Sequence, residues 1–255
     1  MNDKKRTVRY WLSFIILAVL LVILFVWNVN AGSIHLSVGE ILNIIFRHQG
    51  DNTAYNIIWE IRLPRILAVI ILGGALSVSG FLLQTFFNNP IAGPFVLGIS
   101  SGAKLVVALL MIFFLSRSIS MGSAAMIIAA FIGSMISMGF VLLVAKKVHN
   151  MSMLVISGVM IGYICSAVTD FVVTFADDSN IVNLHNWSLG SFSGMSWANV
   201  RVMAVVVLLT MVIVFFMSKP IGAYQLGEVY AQNMGVNIKL FRVALILLSS
   251  ILSAC

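Results

Sequence analysis

The chain contains apolar runs that are too long for the interior of a soluble domain. Residues 122–145 form 24 consecutive positions without a charged side chain, and residues 11–29 form 19. A helix needs about 20 residues to cross the ~30 Å hydrocarbon core of a bilayer, where it satisfies its own backbone hydrogen bonds. Because 61% of the residues are hydrophobic and only 9% are charged, most of the surface must face lipid. The sequence therefore predicts an integral membrane protein and excludes a soluble enzyme, a secreted disulfide module and a disordered chain.

The remaining apolar runs predict an all-α, polytopic transmembrane helix bundle with about seven spans. The five further candidates are residues 66–87, 101–116, 151–171, 198–217 and 241–255. The run at 101–116 contains Lys104, and only 12 uncharged residues separate that lysine from Arg117. This span therefore requires Lys104 to extend its amine to the membrane interface. We expect residues 1–255 to form a single transmembrane domain.

Basic residues indicate the orientation of the bundle. With a cytoplasmic N-terminus, ten Lys and Arg side chains fall inside and five fall outside, which is the bias that cytoplasmic loops show. The inside set is Lys4, Lys5, Arg6, Arg9, Lys104, Lys146, Lys147, Lys219, Lys239 and Arg242, and the outside set is Arg47, Arg62, Arg65, Arg117 and Arg201. The first run resembles a signal peptide, but a removable signal core has only about 7–15 residues. We therefore predict a retained first span after a cytoplasmic segment at residues 1–10.

The last run is short. Residues 241–255 would extend only about 22 Å as a helix, and no basic or aromatic anchor follows Cys255. Two interpretations are open: the last helix stops inside the protein, or the chain is a fragment or an interrupted gene product. The second interpretation is favoured.

Small residues predict where the helices pack most closely. The hydrophobic effect does not drive helix association in lipid, so interfaces depend on small side chains. In the second run Gly73 and Ser77 lie four residues apart, as do Ala75 and Ser79. In the fourth run a small residue recurs at every fourth position over three turns: Ala125, Ala129, Gly133 and Ser137. This pattern predicts that the second and fourth spans are central in the bundle.

Metal, cofactor and nucleic-acid sites are not predicted. Cys165 and Cys255 are 90 positions apart in apolar runs and are typical of small buried residues. The four histidines, His35, His48, His149 and His185, show no metal-ligand spacing. The net charge of +7 indicates membrane orientation, because no basic patch interleaved with aromatic residues is present.

The most specific motifs lie around the second span. Residues 62–65 read RLPR, residues 73–80 read GGALSVSG, residues 89–94 read NPIAGP and residues 98–103 read GISSGA. Pro64 is expected in the first turn of a helix, where amides have no partner. Together the motifs resemble the FecCD-type permeases, which import iron–siderophore complexes, haem and vitamin B12 as parts of binding-protein-dependent ABC transporters.

Two later motifs support this resemblance, which runs from about residue 8 to the end of the chain. Residues 187–191 read WSLGS and are followed by Trp197, as in the outer segment of that family. Residues 226–236 read LGEVYAQNMGV and resemble the family's cytoplasmic coupling segment, a short helix pair seated on the ATPase. The family fold has about ten transmembrane helices, so seven predicted spans are consistent with a chain truncated at its C-terminus.

The resemblance also implies the partners and the location. These are a second permease subunit in a homo- or heterodimer, two ATP-binding subunits, an extracytoplasmic substrate-binding protein, and the lipid of a bacterial plasma membrane. The sequence contains no nucleotide-binding loop, so ATP hydrolysis is expected on a partner chain. The chain itself is not predicted to be an enzyme.

Arg62 and Arg65 are the predicted docking residues for the binding protein. By resemblance they receive acidic residues of that protein, since guanidinium–carboxylate pairing supplies both geometry and steering. Arginine at helix ends is also a common interface anchor, and this alternative stays open.

A cytoplasmic gate and translocation path are implied at two places. By resemblance the gate consists of Asn89, Pro90 and Ile91, opposed by Asn150, Met151 and Ser152. The first three residues could instead simply end a helix. Gln84 is a polar group at membrane depth, which either forms a hydrogen bond between helices or lines the path.

Residues 218–240 are the predicted cytoplasmic coupling segment. The residues implied in contact with the ATPase are Leu226, Gly227, Glu228, Ala231 and Gly235, although a simple polar loop is the alternative. We predict a short helix that ends at Gly235 and has Glu228 near its start, where the helix dipole favours a carboxylate. Closure of the ATPase dimer would then tilt the transmembrane helices.

Two other functional classes were weighed. An ion-coupled secondary transporter without an ATPase needs ionisable residues at mid-membrane. Asp170 is instead ~28 Å along its helix, near the outer interface. A membrane-embedded enzyme would need a His or Asp cluster within the spans, and the sequence shows none. The ABC permease is the favoured function.

Overall fold

The computed structural model describes residues 3–30, 38–47, 52–95, 98–115, 123–145 and 151–255. Every regular element within these ranges is helical, which confirms the all-α fold. The helices are α1 (Asp3–Asn30), α2 (Val38–Arg47), α3 (Asn52–Asn56), α4 (Leu63–Phe87), α5 (Ile99–Leu115), α6 (Ser123–Ala145), α7 (Met151–Val173), α8 (Asp178–Leu189), α9 (Trp197–Phe216), α10 (Ser218–Gln225), α11 (Glu228–Asn233) and α12 (Ile238–Ala254). A π-helical segment, Ile57–Arg62, joins α3 to α4.

Most of the predicted spans are confirmed by helix length. Five stretches are long and apolar enough to cross a membrane: Lys5–Asn30, Thr53–Phe87, Ala125–Val144, Met153–Val173 and Trp197–Phe216. The third predicted span forms α5, whose apolar part, Ile99–Phe113, is shorter than a full crossing. The seventh forms α12, which has 17 residues. The predicted limits of α6 and α7 agree with the structure to within two residues.

The prediction that Pro64 lies in the first turn of a helix is right for α4, which begins at Leu63, but the helical run of the second span begins earlier. Helical structure begins in α3 and continues through the π-helical segment into α4, so Pro64 lies inside a continuous helical run. The amide of Leu63 donates to the carbonyl of Ile58, five residues earlier, which is the hydrogen bond of a π turn. Proline cannot donate to the α-helical ladder. Here it directly follows the turn in which that ladder is already interrupted.

The chain divides into two compact units, residues 1–69 with 192–200 and residues 70–191 with 201–255. In the first unit Trp59 organises the core. Its indole N–H donates to the carbonyl of Ile44 at 3.1 Å, and its carbonyl accepts the indole N–H of Trp197 at 2.7 Å. The two indole rings lie 5.7 Å apart. The two chain segments of this unit are therefore joined by a tryptophan pair.

Two helices lie where only outer loops were predicted. In the first unit α2 buries Ile41 and Ile44, which lie on one helical face. In the second unit α8 buries Leu184 and ends before Gly190, whose φ is +71°. Both helices are too short to cross a bilayer, so the search for long apolar runs did not reveal them.

The closest helix packing of the second unit involves α5 and α6. A Cβ at Gly133 of α6 would lie 2.2 Å from the carbonyl oxygen of Gly102 of α5, so the two backbones are in direct contact. Of the predicted small-residue face of the fourth span, Ala129, Gly133 and Ser137 are buried and Ala125 is half-buried. Only a residue without a side chain fits at Gly133.

The prediction for the second span is only half right. Ala75 and Ser79 of α4 are fully buried, whereas Gly73 and Ser77 are exposed. Positions two apart on a helix differ by roughly 200°, so these two pairs cannot face the same core. We predicted a central position for α4. In the second unit α5 has that position, because it packs against both α6 and α7.

Helix α12 packs within the second unit through buried polar groups as well as apolar ones. The hydroxyl oxygens of Ser79 and Ser249 lie 2.8 Å apart, and the Ser79 hydroxyl also lies 3.0 Å from the carbonyl oxygen of Ser249. Both serines are fully buried. Hydroxyl pairs of this kind fix the register between helices in an apolar environment, and this pair joins α12 to α4.

Candidate functional site

The predicted coupling segment, residues 218–240, contains the expected pair of short helices, α10 and α11. Gly227 precedes α11 with a φ of 128°, and Gly235 follows it with a φ of 85°. Side-chain-bearing residues rarely adopt these angles. The sequence therefore bounds α11 with glycine on both sides, and α11 ends at Asn233, two residues before the predicted end at Gly235.

A polar triad holds α11 against its neighbours. Arg242 of α12 pairs with the carboxylate of Glu228, the first residue of α11. The same guanidinium donates from Nε to the hydroxyl oxygen of Tyr224 at 3.1 Å, and that hydroxyl donates to Glu228 at 3.0 Å. Burial raises the pKa of the Tyr224 phenol, so the hydroxyl keeps its proton and remains a donor. The triad ties α10, α11 and α12 together.

The exposed surface of the coupling segment carries large apolar side chains among polar ones. Leu226, Val229 and Met234 are 72%, 73% and 65% exposed. Val229 lines a groove of about 620 Å³ together with Glu228 and Lys239. We call Leu226, Val229 and Met234 the apolar patch. Exposed apolar residues next to charged ones are typical of a surface that contacts another protein.

The inner surface of the coupling segment packs on the end of α4. Ile221, Tyr224 and Ala231 are buried in the same core as Phe86 and Phe87. Ala231, which was predicted to contact the ATPase, is fully buried. It therefore supports α11 from within the unit.

The residues after α4 form a compact loop, residues 88–92, which we call the gate loop. The side-chain amide of Gln84 donates to the carbonyl of Pro90 at 3.1 Å, and the backbone amide of Asn89 donates to the carbonyl of Gln84 at 3.1 Å. Asn89 also accepts the amide of Ile91 at 3.0 Å. Gln84 thus bonds to its own following loop, which neither of our two interpretations anticipated. Ile91 is 71% exposed.

The two predicted docking arginines lie in different environments. Arg62 is buried, and its guanidinium donates to the carbonyl of Val29. Arg65 is half-buried and donates from Nε to the carbonyl of Phe192 at 3.1 Å and from Nη2 to that of Ser193 at 3.3 Å. Arg62 therefore joins the end of α1 to the π-helical segment. Arg65, in the first turn of α4, instead contacts the loop before α9.

Several predicted residues cannot be placed in this arrangement. Asn150 and His149 lie outside the described ranges, and only the backbone helix is described for Met151 and Ser152. Asp170 is exposed on α7. In the described ranges no group of three His, Cys, Asp or Glu residues could hold a metal ion.

Sequence reasoning missed several residues that organise the site. Thr85 of α4 and Gln225 of α10 form a hydrogen bond between the gate-loop helix and the coupling segment. Tyr224 and Arg242 complete the triad around Glu228. Thr85 and Gln225 are 140 residues apart, and Arg242 lies 14 residues after Glu228, so the sequence contained no spacing signal for these pairs. Arg242 could still have been suspected as a cation near the start of an apolar span.

Comparisons with known proteins match nearly the whole chain. The FecCD transport family matches residues 20–255. The hemin transport system permease protein HmuU of Yersinia pestis is 33% identical over 246 residues, 96% of this chain and 72% of that protein. The vitamin B12 import system permease protein BtuC of Vibrio parahaemolyticus is 32% identical over 256 residues, 100% of this chain and 73% of that protein.

A solved structure shares the fold as well. It shows a metal-chelate type ABC transporter in an inward-facing conformation. The TM-score is 0.76 with 25% sequence identity, and the match covers 93% of this chain and 72% of that chain.

Proposed function

Because the chain belongs to the FecCD transport family, we propose that it is the membrane-spanning permease subunit of an ABC importer for metal chelates. The similar proteins are named for hemin, vitamin B12 and a metal chelate. A ferric siderophore, haem and a corrinoid share one chemistry, a metal ion held in an organic ligand. An extracytoplasmic binding protein delivers this cargo to the bacterial plasma membrane, and the chain acts in a homo- or heterodimer with two ATPase subunits.

The coupling segment carries this proposal. Its apolar patch faces outward, its helix α11 is fixed by the triad, and its inner surface packs on the end of α4. A partner that pushes on the patch therefore moves α4 directly. In this scheme the N-terminus, residues 1–10, and the coupling segment, residues 218–240, are cytoplasmic, and the ATPase binds from inside.

The gate loop is the part of the permease that movement of the coupling segment would open. Asn89, Pro90 and Ile91 form one side of the proposed cytoplasmic gate, with Asn150, Met151 and Ser152 opposite. Gln84 supports the loop through its bond to Pro90. Closure of the ATPase dimer would tilt α4 and separate the two sides, which is a rigid-body change of the kind that drives alternating access.

ATPase binding tests the proposal. We expect Val229→Asp to lower the amount of ATPase that co-purifies with the membrane-inserted permease by about tenfold or more. The reason is that the new carboxylate would be buried in an apolar contact without a partner. The matched control is Asn233→Asp, which adds the same charge one turn later on α11 without removing an apolar side chain. It should retain the ATPase.

Transport in vesicles separates the importer from its alternative. Vesicles with the permease, ATPase and binding protein are offered a ferric siderophore, haem or cobalamin, each with and without internal ATP. The chelate that accumulates only with ATP is the cargo. Accumulation that needs no ATPase and stops when the ion gradient is dissipated would instead establish the ion-coupled secondary transporter.

Binding-protein docking is assigned mainly to Arg65, with Arg62 fixing the helix beneath it. We expect Arg65→Glu to weaken the binding-protein complex about tenfold, because it repels the acidic residue that Arg65 receives. Binding is measured on permease in nanodiscs. Arg65→Lys keeps the charge and should retain most of the affinity. Equal affinity of Arg65→Glu and the parent would leave the arginine as an interface anchor only.

A further inference from the structure

One side-chain hydrogen bond links the coupling segment to the helix that carries the gate loop. The side-chain amide nitrogen (Nε2) of Gln225, the last residue of α10, donates to the hydroxyl oxygen of Thr85 at 3.2 Å. Thr85 is 4% exposed and stands two residues before the end of α4. The bond therefore reaches from the exposed segment into the core.

The surrounding contacts are apolar and do not fix a register. Ile221 and Tyr224 pack in one core with Phe86 and Phe87, and such packing is non-directional. A hydrogen bond depends steeply on distance and angle, and a low dielectric strengthens it. Among these contacts the bond between Thr85 and Gln225 is the one that sets how far α10 lies along α4.

Hydrogen bonds join the last turn of α4 to the gate loop. The Thr85 carbonyl accepts the amide of Asn88 at 3.3 Å, and the Gln84 carbonyl accepts that of Asn89 at 3.1 Å. The Gln84 side chain closes the loop on Pro90. A displacement of Thr85 would therefore reach the loop through the hydrogen bonds of Thr85 and of its neighbour Gln84.

We propose that Thr85 and Gln225 are a positioning pair through which the coupling segment sets the position of the gate loop. This inference rests on the proposed function of both segments. It makes a claim that the proposed function does not make, namely that uptake depends on the Thr85 hydroxyl even when ATP hydrolysis proceeds.

The test compares variants of Thr85 in the complex with its ATPase. Thr85→Val keeps the shape and loses the hydroxyl, and Gln225 is exposed enough to bind water instead. We expect ATP hydrolysis to persist while the chelate imported per ATP falls about fivefold, the effect of losing one hydrogen bond. Thr85→Ser restores the donor–acceptor pair and should restore the ratio.

A matched control and a double variant isolate the pair. Thr210 of α9 is also 4% exposed, and its hydroxyl bonds to the Val206 carbonyl of its own helix, so Thr210→Val should leave the ratio unchanged. Adding Gln225→Met to Thr85→Val should cause no further loss, since both changes remove one interaction.

Labelling of the gate loop gives a readout that needs no cargo. Ile91→Cys, in a chain with Cys255→Ser, is reacted with a maleimide before and after ATP is added to the complex. ATP should change the labelling rate, and Thr85→Val should at least halve that change. The positioning role of Thr85 and Gln225 would be overturned if Thr85→Val lowered uptake and hydrolysis in equal proportion. It would also be overturned if Thr85→Val left the ATP-dependent change in labelling unaltered. Parent permease that binds no ATPase would overturn the proposed function with it.

Discussion

Gly133→Val should lower the thermal stability of the permease strongly. The backbone of α6 at this position touches that of α5, so a Cβ would lie 2.2 Å from the Gly102 oxygen and 2.8 Å from the Ala103 Cα. These are backbone atoms, and they can yield only if the two helices separate. Overpacking of this kind costs about 3 kcal/mol, which corresponds to a fall in Tm on the order of 10 °C. Fluorescence-detected gel filtration after heating of the detergent-solubilised protein measures it.

Gly139 supplies the control on the same helix. A Cβ at Gly139 would meet no atom within 4 Å, and replacing a helical glycine with alanine stabilises a helix by roughly 0.5–1 kcal/mol. Gly139→Ala should therefore melt at or above the parent temperature. A Gly133→Val protein that melts with the parent would show that α5 and α6 do not approach as closely as described.

Arg242→Glu should release α11 and remove the bound ATPase. The change places two carboxylates together where Arg242 now binds Glu228 and Tyr224, and the like charges repel at short range. Without this support the apolar patch is no longer held in place. We expect at least about tenfold less ATPase to co-purify with the permease.

The exchanged pair separates repulsion from simple loss of a side chain. Glu228→Arg combined with Arg242→Glu restores one cation and one anion across the same gap, and should recover much of the bound ATPase. Lys219→Glu reverses an exposed charge on α10 that belongs neither to the triad nor to the groove lining, and serves as the matched control. ATPase bound equally by Arg242→Glu and the parent would show that the triad does not hold the docking surface.

The membrane helices were predictable because hydrocarbon imposes one simple requirement. A run long enough to cross the bilayer must be apolar and helical, so α6 and α7 could be delimited from composition alone. Helix faces were harder. The spacing of Gly73 and Ser77 is as regular as that of Gly133 and Ser137, yet only the second pair is buried, because spacing does not say on which side a neighbour lies.

The site required tertiary information in a different way. The motif around Glu228 located the coupling segment and the glycines that bound α11. The partners of that residue, Tyr224 and Arg242, are assigned by how α10 and α12 approach each other. Arg62 and Arg65 show the same limit. A spacing of three suggested one shared role, whereas Arg62, the last residue of the π-helical segment, is buried and Arg65 is half-buried.

The sparse packing of α1 has a consequence for divergence within the family. Only 6% of its apolar window is buried, so selection at most of its positions acts on length and affinity for lipid rather than on individual side chains. Substitutions among aliphatic residues there are close to neutral and should accumulate quickly. We therefore expect relatives aligned on this helix to share its hydropathy even where their individual residues differ.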